Sequence, residues 1–163
     1  MRNKKLLYVL YASLFAALVF VATMVIKIPT PTGGYVNIGD GIVMLSGWIL
    51  GPVWGSLAAG LGGMLADLFS GYPLYAPATF IIKALMAVVF SFAGANSSKI
   101  LTKKTVIATI PCMLITFVGY FITDLIIGEG YAVANILGNI TQGVASGIVF
   151  ILLALALDKS KIK

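Results

Sequence analysis

The sequence contains no histidine and a single cysteine, Cys112, and only 10% of its 163 residues are charged. Without histidine the commonest metal ligand and proton shuttle is missing. One cysteine cannot close an internal disulfide, so neither a metal centre nor a cofactor is expected. No GxxxxGK[ST] run occurs, and any ATP-driven work therefore falls to another subunit. A soluble domain carries about 25% charged residues, and the sparse charge here, with a mean hydropathy of +1.06, excludes that class. The net charge of +6 is spread along the chain as a topology signal rather than gathered as a nucleic-acid footprint.

What is present is long apolar sequence. At about 20 residues per span the chain has room for five or six helices and one membrane domain, residues 1–163. After Arg2, Lys4 and Lys5, the uncharged run Leu6–Ile26 is roughly 31 Å long as a helix. It is too long for the apolar region of a signal peptide and has no small-residue cleavage site, so it is read as a retained span. A Pro- and Gly-rich outer loop follows, through Tyr35-Val36-Asn37-Ile38-Gly39-Asp40. Between Ile42 and Leu68 the apolar sequence is broken only at Gly51-Pro52. A hairpin there puts Arg2, Lys4, Lys5, Lys99, Lys103, Lys104, Lys159, Lys161 and Lys163 on one side, whereas a single kinked helix would send the last six outward, against the positive-inside rule. The expected fold is an all-α integral membrane protein of six transmembrane helices with both termini cytoplasmic. The short second and third legs, Ile42–Leu50 and Val53–Leu68 in the hairpin, and Pro77–Ala93, Thr105–Ile127 and a last helix to Leu157 complete it.

Small residues at Gly51, Gly55, Ala59 and Gly63 form a stripe for close helix packing, and Ala12 and Ala16 form another on the first helix. Polar residues gather toward the outer half and outer loops: Asn37, Asp40, Asp67, Tyr72, Tyr75, Thr79, Lys83, Asp124, Asn135, Asn139 and Gln142. Apolar walls, aromatic faces and a few hydrogen-bonding groups are what a small-molecule site requires. Each has a structural alternative. A charge in a bilayer costs at least ~2.5–3.5 kcal/mol, so Lys83 either meets a ligand or neutralises Asp67 or Asp124. The amides Asn135, Asn139 and Gln142, at i, i+4 and i+7, either face the ligand or bond between helices. Tyr72 and Tyr75 are ligand-facing or interfacial anchors, and Asp40 and Glu129 read as loop-solvated or capping residues. Two classes remain open on these residues: a solute-capturing transport subunit, and a self-sufficient channel or intramembrane enzyme.

The segment from Leu50-Gly51-Pro52-Val53-Trp54-Gly55 through Asp67, together with Ala76-Pro77-Ala78-Thr79-Phe80-Ile81-Ile82-Lys83, Tyr35–Asp40 and Ala12-Ser13-Leu14-Phe15-Ala16, resembles the substrate-binding S component of energy-coupling factor (ECF) vitamin transporters over nearly the whole chain. The subgroup resembled includes the riboflavin-type and the pyridoxine or hydroxymethylpyrimidine-type proteins. The resemblance implies a prokaryotic plasma-membrane protein with a vitamin pocket near its outer surface. It also implies an AxxxA face, matched by Ala12 and Ala16, that docks a transmembrane coupling (T) protein driven by two ATPases. A pyridoxine-like vitamin or hydroxymethylpyrimidine is the first expectation, with pantothenate and riboflavin as alternatives.

Overall fold

The computed structural model describes residues 4–25, 27–29, 35–95 and 97–160. Arg2, Lys161, Lys163 and the stretch 30–34 of the expected outer loop lie outside them. The elements are α1 (Lys4–Val25), β1 (Lys27–Pro29), β2 (Tyr35–Asn37), α2 (Gly39–Phe69), α3 (Ala76–Ala93), α4 (Lys103–Ile127) and α5 (Glu129–Ser160). Five of these helices are long and apolar enough to cross a membrane. The expected six differ from this count in α2 alone, which the sequence reading divides at Gly51. Where only a loop is expected, β1 and β2 form an antiparallel ribbon that pairs Lys27 with Asn37 and Pro29 with Tyr35.

Gly51 carries φ 78 and ψ −175 inside α2, with Pro52 immediately after it. The positive φ is open to glycine, and proline cannot donate the helical hydrogen bond that would continue the first arm. In an unbroken helix Ser46 and Gly55 would be about 13 Å apart along the axis. Instead Ser46 Oγ donates to the Gly55 carbonyl at 3.1 Å, and a Cβ at Gly55 would collide with the Ser46 carbonyl. The arms 39–50 and 52–69 therefore fold back on one another. The second arm returns to the end of α1, where the Ser70 hydroxyl meets Met24 Sδ and Lys27 Nζ.

Among apolar lipid tails, helices associate through close van der Waals contact and hydrogen bonds rather than through the hydrophobic effect. The interior of this bundle follows that rule. A Cβ at Gly47 would lie 2.0 Å from the Ala87 carbonyl, so α2 and α3 touch backbone to backbone. Gly143 and Gly147 of α5 lie against Met113 and Thr109 of α4. At the centre Phe90 and Phe150 meet edge to face, 4.5 Å between centroids. Large apolar side chains such as Leu10, Ile81, Ile126 and Leu137 point outward, as lipid-facing surfaces require.

At the opposite end from the ribbon, Asp158 near the end of α5 accepts from the backbone N–H groups of Ile100 and Leu101, at 3.0 and 2.9 Å. Thr102 and Thr105 cap α4 reciprocally beside it. The loop carrying Lys99, and the start of α4 with Lys103 and Lys104, are thereby fastened to the end of α5. The start of α1 and the end of α5 lie on this same side, and β2, the α2–α3 turn and the α4–α5 turn lie on the other.

Candidate functional site

The ribbon end holds a cavity. Strand β2 brings Tyr35 and Asn37, the last turn of α2 brings Asp67, and the turn that follows carries Tyr72 and Tyr75; α4 supplies Tyr120 and Asp124, and α5 supplies Asn135, Gly138, Asn139 and Gln142. The turn is shaped by Gly71 at φ 85 and by the Tyr72 N–H donating to the Asp67 carbonyl at 2.9 Å. On α4, Tyr120 and Asp124 are one helical turn apart, as are Asn135 and Asn139 on α5, so each pair faces the same side.

Aromatic faces run around the wall in sequence. Ring centroids are 5.5 Å apart for Tyr35 and Tyr72, 6.3 Å for Tyr72 and Tyr75, and 6.5 Å for Tyr75 and Tyr120. Two carboxylates anchor this belt. Tyr35 Oη donates to Asp67 Oδ1 at 2.5 Å, and Tyr75 Oη to Asp124 Oδ1 at 2.6 Å. Burial, together with the neighbouring carboxylate, pushes both phenols well above their ordinary values, so each remains a donor at any physiological pH. Asp124 also receives Asn135 Nδ2 at 3.1 Å and Asn139 Nδ2 at 3.0 Å. Two atoms in the wall lack an aligned partner among the described residues: Asn135 Oδ1 and Asp67 Oδ2, the latter beside the Thr79 hydroxyl. Among the described residues no lysine or arginine lines the cavity, and Lys27 Nζ lies 4.9 Å from the Tyr35 ring centroid. Its wall is aromatic and rich in acceptors, which suits a flat ligand that brings hydrogen-bond donors.

A family model describing the S component of ECF-type riboflavin transporters matches residues 3–159. The chain belongs to this family. An S component is the substrate-binding subunit of an ECF transporter, a multi-pass membrane protein and not an enzyme, so the carboxylates of the cavity need no catalytic role. The solved structure of the S component of a bacterial ECF transporter superposes with a TM-score of 0.71 at 26% identity, over 98% of this chain and 100% of that one. A Pyrococcus woesei protein named "uncharacterized protein in gap 3'region" is 37% identical over 136 residues, 80% of this chain and 87% of its own length.

In this S component Lys83 and Thr79, both expected at the site, stand behind the wall rather than in it. Thr79 Oγ1 is 3.1 Å from Tyr120 Oη. Lys83 Nζ is 2.5 Å from Asp40 Oδ1 and 5.4 Å from the Tyr120 centroid. The expected partners of Lys83, Asp67 and Asp124, are each taken by a tyrosine. Asp40 is 0% exposed, not solvated in a loop. It points inward because α2 begins at Gly39, and the flanking glycines let this first turn press against Thr23 and against Val149 and Phe150. Its second oxygen accepts from Gln142 Nε2 and Ser146 Oγ, each at 2.7 Å. Gln142 Oε1 in turn accepts from the Asn37 N–H at 2.8 Å. Asp40 thus joins α2, α3 and α5 and holds Asn37 and Gln142 in the wall.

Tyr35 and Tyr120 are wall residues that the sequence reading did not single out. Tyr120 had a usable signature, lying one turn before Asp124. Tyr35 is two residues before Asn37 and shares its face only in an extended strand, which the reading did not assign.

Proposed function

We propose that this S component captures riboflavin, or a closely similar flat heterocycle bearing hydrogen-bond donors, in the cavity at the ribbon end. The acceptor-rich wall carries this reading: Asp67, Asp124 and the free Asn135 carbonyl stand among four tyrosine faces, while Lys83 is engaged by Asp40. Four rings offer stacking surface for a multi-ring system, and the family description favours riboflavin. Pyridoxine and hydroxymethylpyrimidine form a second reading, favoured by the two lining carboxylates, which complement a protonated ring nitrogen. The same carboxylates disfavour pantothenate, whose own carboxylate would meet them with no cation among the described lining residues. Calorimetric titration of the purified protein with the four vitamins tests this. Riboflavin is expected to bind and pantothenate to give no heat. Binding of pantothenate alone would overturn the acceptor-wall reading, and silence from all four would end the vitamin assignment.

The proposal includes six membrane-crossing legs with both termini cytoplasmic, counting the two arms of α2 separately. The reversal at Gly51 supports it, as does the grouping of Lys4, Lys5, Lys99, Lys103, Lys104 and Lys159 at the end away from the cavity. A cysteine at exposed Ser98, with buried Cys112 replaced by serine, is expected to react with impermeant thiol reagents only from the cytoplasmic side. Labelling from outside would restore five spans.

Transport is completed by an ECF module of a T protein and two ATPases. Its docking face is assigned to an apolar groove between α1 and the second arm of α2, lined by Ala12, Ser13, Ala16 and Ala17 opposite Trp54 and Leu61. Ala12 itself packs inward on Leu50 and Ala58, and Ala16 is half-buried, so the open edge of the groove is Ser13 and Ala17.

A further inference from the structure

We infer that Asp124 sets the hydrogen-bond polarity of the ligand wall, turning the Asn135 and Asn139 carbonyls inward so that the site selects ligands presenting a donor edge. The inference rests on the reading of this cavity as the vitamin site.

An ionised carboxylate only accepts. Asp124 accepts from three side chains, Tyr75 Oη, Asn135 Nδ2 and Asn139 Nδ2. An amide has its NH2 and its carbonyl on opposite branches, so committing each Nδ2 to Asp124 turns each Oδ1 away from it. The spacing of one helical turn on α5 lets one carboxylate on α4 do this to both amides. Asn135 is 7% exposed, lines the cavity, and its Oδ1 has no partner among the described residues. A buried carbonyl without a donor is costly, and the cost is recovered when a ligand brings an N–H or O–H to it. An acceptor edge placed there meets oxygen against oxygen. Asp124 is therefore a positioning residue: all three of its donors belong to the protein, and it acts on the ligand through the amides.

A neutral residue at 124 releases this constraint. With Asp124→Asn the new side chain has its own NH2, and Asn135 is free to turn over. The test uses riboflavin and two derivatives that each lack one set of donors: N3-methylriboflavin, without the ring imide N–H, and lumiflavin, without the hydroxylated chain. Each is titrated calorimetrically against wild type, Asp124→Asn and Asn135→Leu. In wild type at least one derivative is expected to bind about tenfold more weakly than riboflavin, and in both variants that penalty falls below about threefold. Leucine has nearly the shape of asparagine, so a penalty arising from steric fit would survive Asn135→Leu, whereas a lost hydrogen bond would not. If Asp124→Asn does not fold, Asn135→Leu, which leaves Asp124 with two donors, decides alone. Penalties unchanged in the folded variants, or no penalty for either derivative in wild type, overturn the inference and leave the vitamin function standing. A folded wild type that binds no riboflavin ends the inference, and silence from all four vitamins ends the vitamin function with it.

Discussion

Lys83→Gln is expected to destabilise the protein by about 3–5 kcal/mol, because removing one partner leaves a buried charge without its counterion. Lys83 is 2% exposed and Asp40 0%. With the ammonium gone, the Asp40 carboxylate keeps Gln142 and Ser146 as donors but loses its neutralising charge. The double variant Asp40→Asn/Lys83→Gln removes both charges and is expected to recover most of the loss. Denaturant unfolding in one detergent, followed for both variants, measures this. Because the pair lies behind Tyr120, whatever binding is lost in Lys83→Gln should be the same for neutral and carboxylate-bearing ligands. A loss selective for a carboxylate ligand would place the ammonium in the wall after all.

The second large effect is on transport. Ser13→Leu/Ala17→Leu is expected to bring vitamin uptake down to background while riboflavin binding to the isolated S component stays at the wild-type level. The two added side chains fill the open edge of the groove beside α1 and hold a docking helix away, and neither points into the bundle. Ala12→Leu makes the contrast, since it presses on Leu50 and Ala58 and is expected to lower stability first. Uptake assays in cells expressing the module, normalised to the amount of S component in the membrane, separate the two. Full uptake by the Ser13/Ala17 variant would remove this face from the coupling interface.

The helical membrane fold was legible in composition and in the long apolar runs, because both are properties of the chain alone. Much of the wall was legible too. Asn37, Asp67, Tyr72, Tyr75, Asn135, Asn139 and Gln142 are polar or aromatic residues placed at the same depth by simple alternation of helices, and the cavity gathers them. Pairing was not legible. Which of three carboxylates Lys83 meets depends on how α2 crosses α3, and that crossing is set by the Gly47 contact with the Ala87 backbone, a tertiary distance with no counterpart in spacing along the chain. Asp40 was misread for a related reason. Its glycine neighbours resemble a turn in sequence, but here they are the gaps that let a helix start deep among its neighbours.

The reversal at Gly51 also bears on how the chain sits in its membrane. The arms 39–50 and 52–69 are about 18 and 27 Å long, against a hydrocarbon layer of about 30 Å. The first arm is too short to reach across unaided. On the six-leg reading the two arms therefore settle as one loop, each held by the other. The short arm is then matched to the layer by local thinning of the bilayer rather than by added length. A patch of thinner lipid beside that arm is the expected companion of the reversal at Gly51.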